Sequence, residues 1–197
     1  MRIEKLENAC LIVVDMQNDF LPGGALEVPN SDTIIPIINE YIKLFTEKKM
    51  LVVYTRDWHP EDHISFRENG GIWPRHCVQN TFGAQIHPSI IIPRSNYLMI
   101  SKAYQKDLEA YSGFYQTELH QKLQEMNIKN LYVCGVATEY CVKNTVLDAL
   151  KLGYRVFLLV DAIKGVDLKP NDSEEAIKEM VNAGSELVVL EELLQLV

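Results

Sequence analysis

Short, unbroken apolar runs recur along this chain, and several stop on a residue that can do chemistry. Ala9 to Val14 closes on Asp15, Met50 to Thr55 closes on Arg56-Asp57, and Tyr97 to Ser101 closes on Lys102. Lys129 to Gly135, Tyr154 to Asp161 and Leu187 to Leu190 repeat the pattern. Runs of this length, rich in branched residues and without polar alternation, read as strands buried on both faces. Segments with helical spacing fall between them. One runs from Ser31 or Asp32, either of which can cap it, to about Lys49, with Ile34, Ile35, Ile38, Ile42 and Phe45 on one side. Pro36 lies near its first turn, where proline is tolerated. Others cover Gln116 to Met126, Thr138 to Leu152 with Gly153 as a stop, and a segment to about Ala183. The last opens on Asp172-Ser173-Glu174-Glu175, which resembles a capping box, and a short helix closes the chain. Strands and helices in alternation predict an α/β fold of three layers, α/β/α, around a six-stranded, mostly parallel sheet.

The 197 residues suit one domain spanning 1–197, and no repeat, low-complexity tract or linker divides them. A hydrophobic fraction of 47% with 23% charged residues is that of a soluble globular protein. The net charge of -8 argues against nucleic acid or an anionic membrane as partner. No run is long enough to span a membrane. The start, Met1-Arg2-Ile3-Glu4-Lys5-Leu6-Glu7, has no apolar core of a signal peptide. Cysteines at 10, 77, 134 and 141 lack CxxC spacing and fit reduced thiols, so a cytoplasmic location is expected.

In open parallel sheets, ligands bind beyond the carboxyl ends of the strands. Asp15, Asp57, Lys102 and, a turn beyond the fourth strand, Cys141 all fall there. Taken singly, each has a plain structural role: a turn cap for the aspartates, a solvated charge for the lysine, a core thiol for the cysteine. Four together at one rim point to a site. Cys141 lies in the first turn of its predicted helix, where free N–H groups and a partial positive charge favour the thiolate, the nucleophilic form.

Between Arg56 and Asn96 the spacing predicts one long irregular segment, holding four of the five histidines and both tryptophans. Structureless stretches of this length usually carry function. Asp57-Trp58-His59 leaves a strand as a D-x-H pair, followed by His63 and His76. A carboxylate and imidazoles can close one face of a metal ion and leave the others open, which suits zinc, iron or manganese in a catalytic role. His87 and His120 stand apart and read as structural or solvated. Cys77 adjoins His76, but neighbours on an extended chain point apart, so it is left out. Gly23-Gly24 lacks the spacing of a phosphate loop. Cys10 and Cys134 sit within strands and read as core.

Asp15 within Val-Asp-Met-Gln-Asn-Asp-Phe, Asp57-Trp-His-Pro-Glu-Asp-His, Trp73-Pro-Arg-His-Cys, Lys102, Tyr111-Ser-Gly-Phe and Gly135-Val-Ala-Thr-Glu-Tyr-Cys141 occur in this order. Together they resemble the nicotinamidase/pyrazinamidase branch of the isochorismatase-like cysteine hydrolases. The resemblance runs from the first strand to the helix carrying Cys141 and implies a Rossmann-like sheet. It implies that Cys141 attacks the amide carbonyl, that Asp15 moves the proton, and that Lys102 holds the pair. It implies a divalent metal, zinc first and iron or manganese as alternatives, on Asp57, His59 and His76, with His63 as an open fourth ligand. It further implies Phe20, Trp73 and Tyr111 around the substrate ring, and the backbone N–H groups of Ala137 and Cys141 as an oxyanion hole beside a cis Val136–Ala137 peptide. The implied reaction turns nicotinamide, and pyrazinamide with it, into the acid and ammonia through a thioester, in an enzyme that is a homo-oligomer.

Isochorismatases lack the nucleophilic cysteine, so Cys141 favours an amidase. Two positions depart from the family pattern: Ala103 where glycine is usual, and Phe82 where proline is usual, the latter expected at the pocket mouth or a subunit contact. Two other readings stay open. One keeps the triad but acts on another amide or an N-carbamoyl compound, and the metal residues argue against it. The other is a non-catalytic ligand-binding protein, against which the intact Asp15, Lys102 and Cys141 argue.

Overall fold

The structure, a computed structural model, describes residues 6–195. Most of the N-terminal stretch in which no signal sequence is read lies outside the described residues. Six strands form one sheet: β1 (Ala9–Val14), β2 (Leu51–Asp57), β3 (Tyr97–Lys102), β4 (Asn130–Val136), β5 (Arg155–Lys164) and β6 (Glu186–Val188). Five α-helices accompany them: α1 (Ile35–Glu47), α2 (Leu119–Glu125), α3 (Lys143–Lys151), α4 (Asp172–Asn182) and α5 (Leu190–Leu194). The strand order is β3-β2-β1-β4-β5-β6 and every pairing is parallel, where the sequence predicts a mostly parallel sheet.

The six residues of β1 are all buried because helices cover both faces. Leu11 and Val13 pack with Ile38, Tyr41, Ile42 and Phe45 of α1 and Leu193 of α5. Cys10, Ile12 and Val14 pack on the opposite face with Leu119 and Leu123 of α2, Val146 and Ala149 of α3 and Met180 of α4. A side-chain period of two along the strand thus feeds two separate cores. Full burial contributes roughly 1.5–3 kcal/mol for each large apolar side chain.

Three local expectations are corrected. Ser31 does not cap α1. It opens a 3-10 turn, Ser31–Ile34, that leads into the helix, and its hydroxyl donates to the Phe20 carbonyl at 2.9 Å. The box at Asp172 does not form either: Asn171 stands at the N-cap in a left-handed conformation. The first turn is met instead from outside, by Asp167 Oδ1 accepting the Ser173 N–H at 2.7 Å. Finally, β5 runs past Asp161 to Lys164. It bulges between Leu158, opposite Val133, and Ile163, opposite Gly135, and so extends one side of the sheet's upper rim.

The segment between β2 and β3 contains no α-helix, only a 3-10 turn at Arg67–Asn69. Single bridges pin it in place, His59 to Val78 and Phe66 to Trp73.

Candidate active site

The strand order puts the ends of β3, β2, β1 and β4 side by side. Lys102 pairs directly with Asp57, and Val14, just before Asp15, pairs with Gly135. The order reverses between β1 and β4, and the crevice at such a reversal is where open α/β sheets place their ligands. Gly135 permits the approach: its φ is +111°, and a Cβ there would stand 2.1 Å from the Val14 carbonyl oxygen. The chain then turns through a cis Val136–Ala137 peptide into a π-helical turn, Thr138–Val142, which leads into α3 and carries Cys141.

Lys102 is wholly buried, and its ammonium joins everything at this rim. Nζ lies 2.9 Å from Asp15 Oδ2, 2.5 Å from Asp57 Oδ1 and 3.3 Å from both Cys141 Sγ and the Ala110 carbonyl oxygen. Asp15 is also fully buried, and its Oδ1 accepts the Thr55 hydroxyl at 2.6 Å. Burial would lower the Lys102 pKa, but Asp15 and Asp57 hold it well above its ordinary value. Burial raises the Asp15 carboxyl, with Lys102 pulling it back. Burial also pushes the Cys141 thiol well above its ordinary value, and Asp15 and Asp57 add to this against the pull of Lys102. Burial and the two carboxylates thus oppose the thiolate, which Lys102 and the helix start favour.

Beside this cluster, Asp57, His59 and His76 bring one ligand atom each within 4.8 Å of one another, all from buried residues. The donor set fits a divalent cation on the structure's own evidence. His59 Nε2 is buried and without a hydrogen-bond partner. The Nδ1 atoms of both histidines meet backbone carbonyls, Ala103 at 3.1 Å and Pro74 at 2.7 Å, which turns each Nε2 toward Asp57. His76 is held to about 4 by burial, so its ring is neutral and free to donate to a metal at ordinary pH. Burial raises the Asp57 carboxyl, but Lys102 and His59 outweigh it and hold it well below the usual carboxylate range.

His63 does not join them. Its Nδ1 lies 2.7 Å from Ser65 Oγ and its Nε2 2.9 Å from the Leu108 carbonyl, and its ring stacks on His59 at 4.1 Å. Cys77 is buried and lies outside the metal group, as read, with its N–H donating to Asp19 Oδ2.

A cavity opens above Cys141, and Phe20, Leu26, Val28, Trp73, Tyr111, Tyr140 and Val166 form its apolar wall. Asp57, His59, His76, Glu109 and Ala137 complete the lining. The Trp73 indole N–H donates to the Tyr111 hydroxyl at 3.0 Å, and Tyr140 packs edge-on against Trp73 at 5.0 Å. The sequence reading brings Phe20, Trp73 and Tyr111 to this cavity, and the structure puts all three there. Phe82 does not reach it. It is 70% exposed and lines a separate surface groove with Gly23, Gly24 and His87.

The isochorismatase domain family matches this chain over residues 9–192. The chain belongs to the isochorismatase family. A nicotinamidase of Escherichia coli is 38% identical to it over 201 residues, covering 91% of this chain and 94% of that one. A pyrazinamidase of Pyrococcus horikoshii, solved in complex with zinc, is 57% identical, with a TM-score of 0.89 over 93% of this chain and 99% of that one. The yeast nicotinamidase bound to the inhibitor nicotinaldehyde is 30% identical, with a TM-score of 0.83 over 92% and 99%. Likeness of this extent covers the whole rim from Asp15 to Cys141.

Beyond the aliphatic lining of the cavity, four residues at the site carry no role in the sequence reading. Thr55 holds Asp15, and Gln17 clamps Asp57 by donating to its carbonyl at 2.8 Å and accepting its N–H at 2.7 Å. Tyr140 and Glu109 line the cavity. All four lie within two residues of sites already read, and that closeness is the one signal available.

Proposed function

We propose that this isochorismatase-family protein is a nicotinamidase, hydrolysing nicotinamide, and pyrazinamide with it, to the acid and ammonia. The observation that carries this is the contact of one buried ammonium with Asp15, Asp57 and Cys141, at the floor of an aromatic cavity beside a metal-ligand trio.

An amide is a poor acyl donor, so the nucleophile needs activation at the moment of attack. As Cys141 Sγ bonds to the carbonyl carbon, its proton passes to Asp15. A carboxyl raised by burial is a stronger base than an exposed one. Lys102 stays charged throughout and compensates whichever of the two bears the negative charge. The oxyanion forms against the N–H groups of Ala137 and Cys141, and a donor so placed contributes roughly 3–4 kcal/mol. The C–N bond then breaks, Asp15 returns the proton to the leaving ammonia, and a thioester remains. Asp15 next takes a proton from water as the water attacks the thioester, and the proton returns to Sγ as the acid leaves.

Asp57, His59 and His76 would hold a divalent metal, zinc on the chemistry of two imidazoles and one carboxylate. When bound, the metal supplies a Lewis acid that orients the pyridine nitrogen of the substrate. Phe20, Trp73 and Tyr111 hold the ring and exclude water. Four free cysteines suit a reducing compartment, and we place the enzyme in the cytoplasm. No helix among the described residues is long and apolar enough to cross a membrane.

The test is ammonia release from nicotinamide by the zinc-loaded protein. Turnover is expected in the wild type, with a loss of at least a thousandfold in Cys141→Ala. Undiminished turnover in that variant would refute the assignment.

A further inference from the structure

Glu139 sits in the turn that carries Cys141, and the mechanism above leaves it unused. It is 8% exposed. Its Oε1 accepts two backbone N–H groups, from Val166 at 2.9 Å and from Asp167 at 2.7 Å. Asp167 in turn accepts the Ser173 N–H in the first turn of α4. Val166 lines the cavity together with Ala137, Tyr140 and Cys141. One carboxylate thus ties three things together: the nucleophile turn, the loop after β5 that walls the cavity, and the start of α4.

The space around this carboxylate is closed. Its Oε2 and the Ser173 hydroxyl are both buried without a hydrogen-bond partner. Gly165 backs onto them: a Cβ there would stand 1.8 Å from Ser173 Oγ and 2.5 Å from Glu139 Oε2. A side chain at position 165 would have to displace the Ser173 hydroxyl and crowd the Glu139 carboxylate. The contacts that hold the carboxylate are made by Oε1 alone, so they depend on an acceptor at that position and not on a full negative charge.

We propose that Glu139 is a positioning residue for amide hydrolysis. By bonding the Val166 and Asp167 amides it braces the turn from Ala137 to Cys141 against the β5–α4 loop. The N–H groups of the turn then stay aimed at the developing oxyanion. This rests on the nicotinamidase reading above. Donors aimed at a transition-state charge act chiefly on kcat, and small displacements of them are costly. The substrate ring is held elsewhere, by Phe20, Trp73 and the metal trio, so KM is expected to move little.

The test compares Glu139→Ala, Glu139→Gln and Gly165→Ala in the zinc-loaded enzyme. Glu139→Ala is expected to lower kcat roughly a hundredfold with KM within about threefold, an effect of the size seen for a lost oxyanion donor. Glu139→Gln keeps an acceptor at Oε1 and is expected to retain kcat within about threefold. Gly165→Ala crowds the Ser173 hydroxyl and the Glu139 carboxylate and should lower kcat in the same direction with Glu139 intact. Inhibition by nicotinaldehyde, whose thiol adduct carries an oxyanion, should weaken at least tenfold in Glu139→Ala, while inhibition by nicotinate changes less than twofold. Amide exchange at Val166 and Asp167 should quicken in Glu139→Ala and not in Glu139→Gln.

A kcat within threefold of wild type in Glu139→Ala overturns the proposal, as does a Glu139→Gln variant as impaired as the alanine. If Glu139→Ala does not fold, Gly165→Ala decides by the same kcat and inhibitor criteria. A wild type that releases no ammonia from nicotinamide refutes the parent reading instead, and amide exchange still reports whether the brace exists.

Discussion

Lys102 shows how a side chain that reads as an ordinary surface charge can become the centre of a molecule. Alone after a short strand, it carries no mark of burial. In the structure it is fully enclosed, with two carboxylates and a thiol on one nitrogen. A charge is tolerated there only because partners replace its water. The same burial acts on its neighbours with opposite sign for each type: it raises Asp15 and Cys141 and lowers His76. For His76 this has a consequence in the metal-free protein. Its pKa falls from an ordinary 6.5 to about 4 on folding, so the unfolded chain takes up the proton first. Between about pH 6.5 and pH 4 the unfolded state then binds more protons, and this contribution to stability is lost as pH falls. Urea midpoints should show the wild type losing stability relative to His76→Asn as pH falls from about 6.5 to about 4. A constant separation would contradict the depressed value. Residue-scale surprises of this kind were not legible beforehand, since burial of a single side chain depends on what the rest of the chain stacks upon it.

Elements were easier to read than their contacts. The six strands and the long helices stand where the apolar runs and the helical spacing put them, within a few residues. What failed were the caps, at Ser31 and at Asp172, because a hydroxyl or carboxylate near a helix start can bond to any amide or carbonyl in reach. Ser31 turned to Phe20, and the start of α4 took its partner from Asp167. Ala103 is instructive too. Its φ of +49° lies in the left-handed region, which glycine adopts at less cost than alanine. Between elements, Gln17 is the clearest coupling. It leaves the end of β1 and satisfies both backbone groups of Asp57 at the end of β2, and it also donates to the Ala84 carbonyl at 2.9 Å. Gln17→Ala should therefore cost about 2–5 kcal/mol of stability through the stranded Asp57 groups. It should also weaken zinc binding by roughly 10–100-fold, as losses of outer supports to metal ligands do. Calorimetric titration with zinc tests this, and an unchanged affinity would mean that Asp57 needs no such support.

At the scale of the whole molecule, the sheet brings residues far apart in the chain to one rim, and the two cores hold that rim rigid from both sides. The metal trio draws its ligands from the end of β2 and from the irregular segment after it, so a bound metal should tie that segment to the sheet. Ligand bound only to the folded state adds about 2.7 kcal/mol at a hundred times its dissociation constant. For a chain of this size that predicts a rise in melting temperature of roughly 5–10 °C on zinc addition, reversed by a chelator and absent in a variant lacking both His59 and His76. A melting temperature indifferent to zinc in the wild type would count against the trio as a metal centre.

The residue types and their order determined, without any structure, a layered α/β fold and a set of chemically capable residues at strand ends. This is so because a parallel strand buried on both faces must be continuously apolar, and the first polar residue after it marks the rim. Only the tertiary structure decided that β3, β2, β1 and β4 lie in that order, which brings Lys102 to Asp15, Asp57 and Cys141 together. It alone decided that His63 turns away from the metal ligands, that the thiol lies buried against one ammonium and two carboxylates, and that Glu139 reaches back to Val166. Periodicity records which face of an element is buried. It does not record which element lies beside it, and the distances between charges, on which their protonation depends, follow from that neighbour.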